Sequence, residues 1–127
     1  MRDYLLDTNI LIALINQTEH QLPRRLRDLL LMPEFQPSVS VVSPWEMSIK
    51  MSVGKLQVNS PAKDIGARVL GFGFPLLPMT IDHALEVAHP EPATKDPFDR
   101  LLLAVCACEG MKLITTDDKL AGHRLVY

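Results

Sequence analysis

Short apolar runs alternate with stretches of helical periodicity from one end of the chain to the other. Tyr4-Leu5-Leu6 is an apolar run that stops at Asp7, the pattern of a short buried strand ending at a carboxylate. From Asn9 to Asn16, Ile10, Leu11, Leu14 and Ile15 recur at helical spacing. From Leu22 to Met32, Leu22, Leu26, Leu29 and Leu30 share one helical face, while Arg24, Arg25 and Asp28 take another. Pro33 and Pro37 close that unit. Ser38 to Val42 is rich in valine and serine and predicts a second strand. Ser43 at N-cap, Pro44 at N1 and Glu46 at N3 then predict a helix start, with the helix running to about Val53 and stopping at Gly54.

The second half repeats this alternation. Ser60-Pro61 opens a helix that ends near Gly71-Phe72-Gly73, and Phe74 to Pro78 is a short apolar strand. Thr80 caps a helix through Val87, and His89 to Thr94, with Pro90 and Pro92, is a loop. Asp96-Pro97-Phe98-Asp99 opens the most apolar helix, which ends at Gly110. Lys112 to Thr116 is a strand ending at Asp117-Asp118, and Arg124 to Tyr127 fits a last edge strand. Strands alternating with helices predict an α/β class protein: a three-layer α/β/α sandwich around a central, mostly parallel sheet. One domain over residues 1–127 is expected, without internal repeats or low-complexity tracts.

Composition narrows the classes. Hydrophobic residues make up 47% of the 127, too many for a disordered chain. No run of about 18 apolar residues predicts a membrane span, and no secretory leader is visible at the start. Cys106 and Cys108 point about 200° apart on a helix, so they are not expected to bridge. They fit small apolar residues in a reducing, cytoplasmic setting. His20, His83, His89 and His123 are scattered and suggest neither a zinc site nor a catalytic base. With 13 Lys and Arg against 15 Asp and Glu, a strongly basic nucleic-acid clamp is absent.

The acids then change the picture. In a parallel α/β sheet, strand C-termini and helix N-termini share one edge, where ligands bind. Asp7 ends the first strand and Glu46 lies in the first helical turn after the second. Asp99 lies in the first turn of the apolar helix, and Asp117 ends the strand that follows it. Each has an ordinary reading: Glu46 as a capping-box residue, Asp99 with Asp96 as dipole and cap residues, Asp7 and Asp117 as turn residues. Together they form an acidic edge whose mutual repulsion calls for compensation. A hard divalent cation with oxygen ligands, Mg²⁺ or Mn²⁺, fits such a set, and zinc fits poorly. Thr8, Asn9, Thr115 and Thr116 adjoin these acids and offer hydroxyl and amide groups to orient them. Arg100 has both a phosphate-contact reading and a paired surface reading.

Five blocks occur in order: Leu5-Leu6-Asp7-Thr8-Asn9-Ile10-Leu11-Ile12, Ser43-Pro44-Trp45-Glu46-Met47-Ser48-Ile49-Lys50, Gly54-Lys55-Leu56, Lys95-Asp96-Pro97-Phe98-Asp99-Arg100-Leu101-Leu102, and Leu113-Ile114-Thr115-Thr116-Asp117. Across nearly its whole length the chain resembles the PIN-domain family, in particular the VapC-type toxins of type II toxin–antitoxin pairs. That resemblance implies a compact α/β/α fold, metal-dependent ribonuclease activity, a homodimer and inhibition by a VapB-like antitoxin. It assigns the catalytic, metal-binding acids to Asp7, Glu46, Asp99 and Asp117. Asp96 is kept for capping and Asp118 is a secondary ligand candidate. Thr94 is a departure, since relatives often carry His there.

The implied reaction is hydrolysis of an RNA phosphodiester by a metal-activated water, with no nucleophilic side chain. Three other readings compete. A non-catalytic PIN-like binding module would keep the fold without the metal. A phosphoacceptor receiver domain would want paired acids after the first strand and a lysine after the last, and here Asp7 stands alone and Lys112 begins its strand. A phosphatase of the D-x-D type meets Asn9 at its third position. Trp45, beside Glu46, has three readings, a wall of the site, a ring that stacks on a base, or plain burial, and burial is the one expected. The leucine-rich stretch between residues 10 and 31 suggests a groove for an antitoxin helix or a second copy. Setting the four site acids aside shifts the formal charge from −2 to +2, which leaves Arg24, Arg25, Arg27, Lys50, Lys55, Lys95 and Arg100 as candidate phosphate contacts.

Overall fold

A computed structural model describes residues 3–127. Strand β1 (Tyr4–Leu6) lies centrally and pairs in parallel with β4 (Lys112–Ile114), with Leu5 opposite Leu113 and Leu6 opposite Ile114. On its other side a parallel bridge from Leu5 to Ser38 leads into β2 (Val39–Ser40), which pairs in parallel with β3 (Leu76–Leu77). The order is therefore β3-β2-β1-β4, every pairing parallel. The chain end contributes a single bridge, Leu113 to Val126, rather than the edge strand its apolar residues suggest. The turn through His123, whose carbonyl accepts from Val126 N at 3.0 Å, stops the ladder from lengthening.

Side-chain alternation along these strands builds the layers. Leu6 and Ile114 point to one face, where they meet α1 (Thr8–Ile15), α2 (Arg24–Leu31), α3 (Val42–Ser52) and α4 (Ile65–Gly71) through Ile10, Leu11, Leu26, Met47 and Ile65. Leu5 and Leu113 point to the opposite face and pack on Leu102, Leu103, Val105 and Cys106 of α6 (Pro97–Glu109). Burying each such side chain stabilises the fold by about 1.5–3 kcal/mol. Helix α5 (Ile81–Leu85) packs on α6. The expected three-layer α/β/α sandwich is thus present, and no described helix is long and apolar enough to cross a membrane.

Several boundaries differ from the sequence reading. β2 ends at Ser40, and the chain turns straight into α3 at Val42, with Val41 as N-cap. Ser43 is therefore not the cap, and Ser43 and Glu46 form no capping box. The reason is local: Ser40 Oγ accepts from Val42 N at 3.1 Å, which meets the need Ser43 was expected to meet. Helix α5 stops at Leu85, two residues before Val87, and is held by a Thr80–His83 capping box. His83 is buried, and its Nε2 lies 2.9 Å from Glu109 on α6. The α6 start is as expected: Asp96 Oδ1 accepts from Phe98 N at 2.8 Å and Asp99 N at 3.3 Å, Pro97 sits at N1, and Gly110 ends the helix at φ +68°.

Candidate active site

The central strand hands its last carboxylate directly to a helix. Asp7 N still donates to Ile114 O at 2.9 Å, so the sheet fixes its backbone, and Asp7 Oδ1 accepts from Thr8 N at 2.8 Å as the cap of α1. Asp7 Oδ2 accepts from Thr115 Oγ1 at 2.5 Å. The residue is buried, and burial raises its pKa against these two hydrogen bonds, with Glu46 and Asp117 adding to the rise.

Glu46, one turn into α3, is also buried. Its Oε1 lies 2.7 Å from Thr8 Oγ1, and its Oε2 pairs with Lys50 Nζ one turn further on. Thr8 Oγ1 also lies 2.9 Å from Ser43 Oγ. A threonine hydroxyl has one proton and an ionised carboxylate can only accept, so Thr8 donates to Glu46 and accepts from Ser43. The Lys50 pKa is raised, first by the hydrogen bond to Glu46, with Glu46, Asp96 and Asp99 charges adding to it.

Asp99 is at N3 of α6 and half-buried. Its pKa is pushed up to about 7, first by burial and then by the charges of Asp96, Asp7, Asp117 and Glu46. Thr94 Oγ1 lies 3.4 Å from Asp99 Oδ2 and accepts from Asp96 N at 3.1 Å, so the buried threonine ties the loop to the start of α6. Asp117 follows β4. Its N–H donates to Thr115 Oγ1 at 3.0 Å, and its Oδ1 accepts from Lys119 N at 2.9 Å. One hydroxyl, that of Thr115, therefore joins Asp7 and Asp117.

The four sequence-predicted acids thus meet at one sheet edge, close enough for the other three to perturb Asp99. Of their expected supporters, Thr8 and Thr115 are buried and bonded to them, while Asn9 and Thr116 are exposed. Asp96 caps α6, and Asp118 is exposed. Arg100 turns to the preceding loop and donates to Pro92 O and Thr94 O, each at 3.1 Å, and to Glu91 at 3.0 Å. Arg24 pairs with Asp28, and the Arg25 guanidinium lies over the Tyr127 ring at 4.7 Å. Sequence reasoning missed Ser43 and Thr94 as supports, because their partners come from elsewhere in space or from the loop rather than from helix-capping rules. Trp45 is 53% exposed, not buried as expected, because its ring meets only the edge-on Phe98 ring of α6 and is otherwise open. Cys106, beneath the site, is buried, and burial and the Asp7 charge push its thiol up to about 12, so it serves as an apolar residue.

Among the described residues no three acidic, histidine or cysteine side chains stand at ligating spacing around one point. The donor chemistry nonetheless fits a hard divalent cation. Carboxylate and hydroxyl oxygens crowd together with a surplus of negative charge, and no histidine or thiolate competes.

Residues 4–124 match the family model of the PIN domain, and the chain belongs to that family. PIN domains are generally nucleases, and such nucleases in general use divalent metals. The fold is also similar to a chain of a toxin–antitoxin complex from Klebsiella pneumoniae, with a TM-score of 0.60 and 25% identity over 98% of this chain and 95% of that one. No curated protein matches the chain.

Proposed function

We propose that this PIN domain, spanning residues 1–127, is a Mg²⁺- or Mn²⁺-dependent endoribonuclease, the toxin of a VapBC-type pair. In this reading it works in the cytoplasm as a homodimer and is silenced by a VapB-like antitoxin. One observation carries the catalytic part: four carboxylates from separate elements share one edge, where burial and then the neighbouring charges push the Asp99 pKa up to about 7. The toxin reading is supported by the likeness to a chain of a toxin–antitoxin complex.

In this proposal Asp7, Asp99, Asp117 and Glu46 would hold a divalent ion, which when bound would lower the pKa of a water and stabilise charge on the phosphoryl oxygens. Thr115 fixes the Asp7 carboxylate and Thr8 fixes Glu46, so neither has to be oriented during the reaction. Glu46 is buried and held in place by Thr8 and Lys50, and in this proposal it is the base that would accept a proton from the attacking water. Lys50, already at Glu46, is a side-chain cation placed for a substrate phosphate. Arg100 contributes by holding the 91–94 loop against α6, and Asn9 and Thr116 are left at the rim. The test is cleavage of single-stranded RNA with Mn²⁺ or Mg²⁺, compared with a chelator: cleavage that chelation abolishes supports the reading, and absence of cleavage under both metals removes it.

A further inference from the structure

Trp45 precedes Glu46 in α3, and Phe98 precedes Asp99 in α6. The two rings meet at 5.2 Å between centroids with planes 75° apart. An edge-on contact of this kind leaves at least one face of the indole untouched by its partner, and 53% of Trp45 is accessible. Lys50 Nζ, the cation paired with Glu46, lies 5.8 Å from the centre of the Phe98 ring. An exposed indole, a second aromatic ring and a cation thus sit together where the helices carrying two of the four acids come into contact.

The geometry points to Trp45 as a stacking platform for an unpaired nucleobase next to the scissile phosphate. This rests on the ribonuclease reading above and adds to it the residue that holds the substrate's base. In a duplex the base faces are stacked on one another and unavailable, whereas an unpaired base can lie on an indole. The charge pattern favours this occupant over a protein partner: the phosphate beside such a base meets Lys50, while the base meets the open ring. Val53, two turns further along the helix, is exposed too, but it lies beyond the acids and offers no face for stacking.

The experiment exploits the fact that Trp45 is the only tryptophan in the chain. Its emission is followed while Asp7→Asn protein is titrated with a single-stranded RNA octamer of mixed sequence, with the matching duplex, and with more of the protein itself. In parallel, cleavage of the single strand is compared for wild type, Trp45→Phe and Trp45→Ala. We expect quenching by the single strand and not by the duplex. We also expect a loss of about 5- to 150-fold in kcat/KM for Trp45→Ala, mainly in KM, with most activity kept by Trp45→Phe. If wild type cleaves RNA but Trp45 is silent to it and Trp45→Ala keeps its KM, the platform is wrong and the ribonuclease reading stands. Emission that follows protein concentration instead, with loss of a dimer in Trp45→Ala, assigns the ring to a protein contact and also overturns the platform. If wild type neither cleaves nor binds RNA, both fall.

Discussion

Thr115 donates a 2.5 Å hydrogen bond to Asp7 Oδ2 across 108 residues of sequence, and the same hydroxyl accepts from Asp117 N at 3.0 Å. Strand pairing makes this possible. Leu6 sits opposite Ile114, so the next residue on each strand, Asp7 and Thr115, emerges at the same point of the sheet edge.

Thr115→Val keeps the β-branched shape and removes the donor. A buried carboxylate oxygen then loses its partner, which costs about 1–3 kcal/mol. Urea denaturation is expected to show that loss for Thr115→Val, while Thr116→Val, at an exposed position, stays within about 0.5 kcal/mol of wild type.

Stability without divalent metal is expected to fall as pH rises toward neutral. Asp99 has a folded pKa of about 7, above its ordinary value of 3.8, and Asp7 is shifted in the same direction. Between those values the folded state binds more protons than the unfolded state. The slope of unfolding free energy with pH is therefore negative from about pH 4 to pH 7, and the penalty is complete above it. Thermal melts from pH 5 to pH 8 in chelator check this, and Asp99→Asn is expected to flatten the decline.

Adding Mg²⁺ or Mn²⁺ at pH 8 is expected to raise the melting temperature, because an ion bound only by the folded acids stabilises by mass action. A chelator reverses the shift. In Asp7→Asn the shift shrinks, since one carboxylate charge is gone.

Lys50→Met leaves the buried Glu46 carboxylate without its cation. Because Lys50 is itself partly exposed, the loss falls at the lower end of the range for charged hydrogen bonds, about 1–2 kcal/mol. Calorimetric melts of Lys50→Met and Lys50→Arg separate the loss of the charge from the change of side-chain shape.

The four strands that form, the α6 helix with its Asp96 cap and Gly110 stop, and the placing of the four acids at one edge are legible in the sequence, because each follows from local pattern plus one rule about sheet edges, whereas the edge strand read over Arg124 to Tyr127 is only a single bridge. The start of α3 is not legible either. Ser43, Pro44 and Glu46 match a capping box, but Ser40 already satisfies the first free N–H, so the helix begins earlier. That shift frees Ser43 to face Thr8 and Glu46 to face the site, a consequence of three-dimensional neighbours that spacing does not encode. Trp45 was misjudged for a related reason. A large apolar ring is usually buried, and only the packing of α3 on α6 reveals that Phe98 meets this ring edge-on and leaves about half of the residue open.

The most direct test of the central claim is cleavage-site mapping on total RNA with wild type and Asp7→Asn, each with Mn²⁺ and with chelator. Asparagine keeps an oxygen for Thr115 and removes one charge from the acidic edge, so circular dichroism is expected to show an intact fold. The account predicts discrete cuts by wild type that require metal and are absent from Asp7→Asn. Undiminished cutting by a folded Asp7→Asn protein would contradict it.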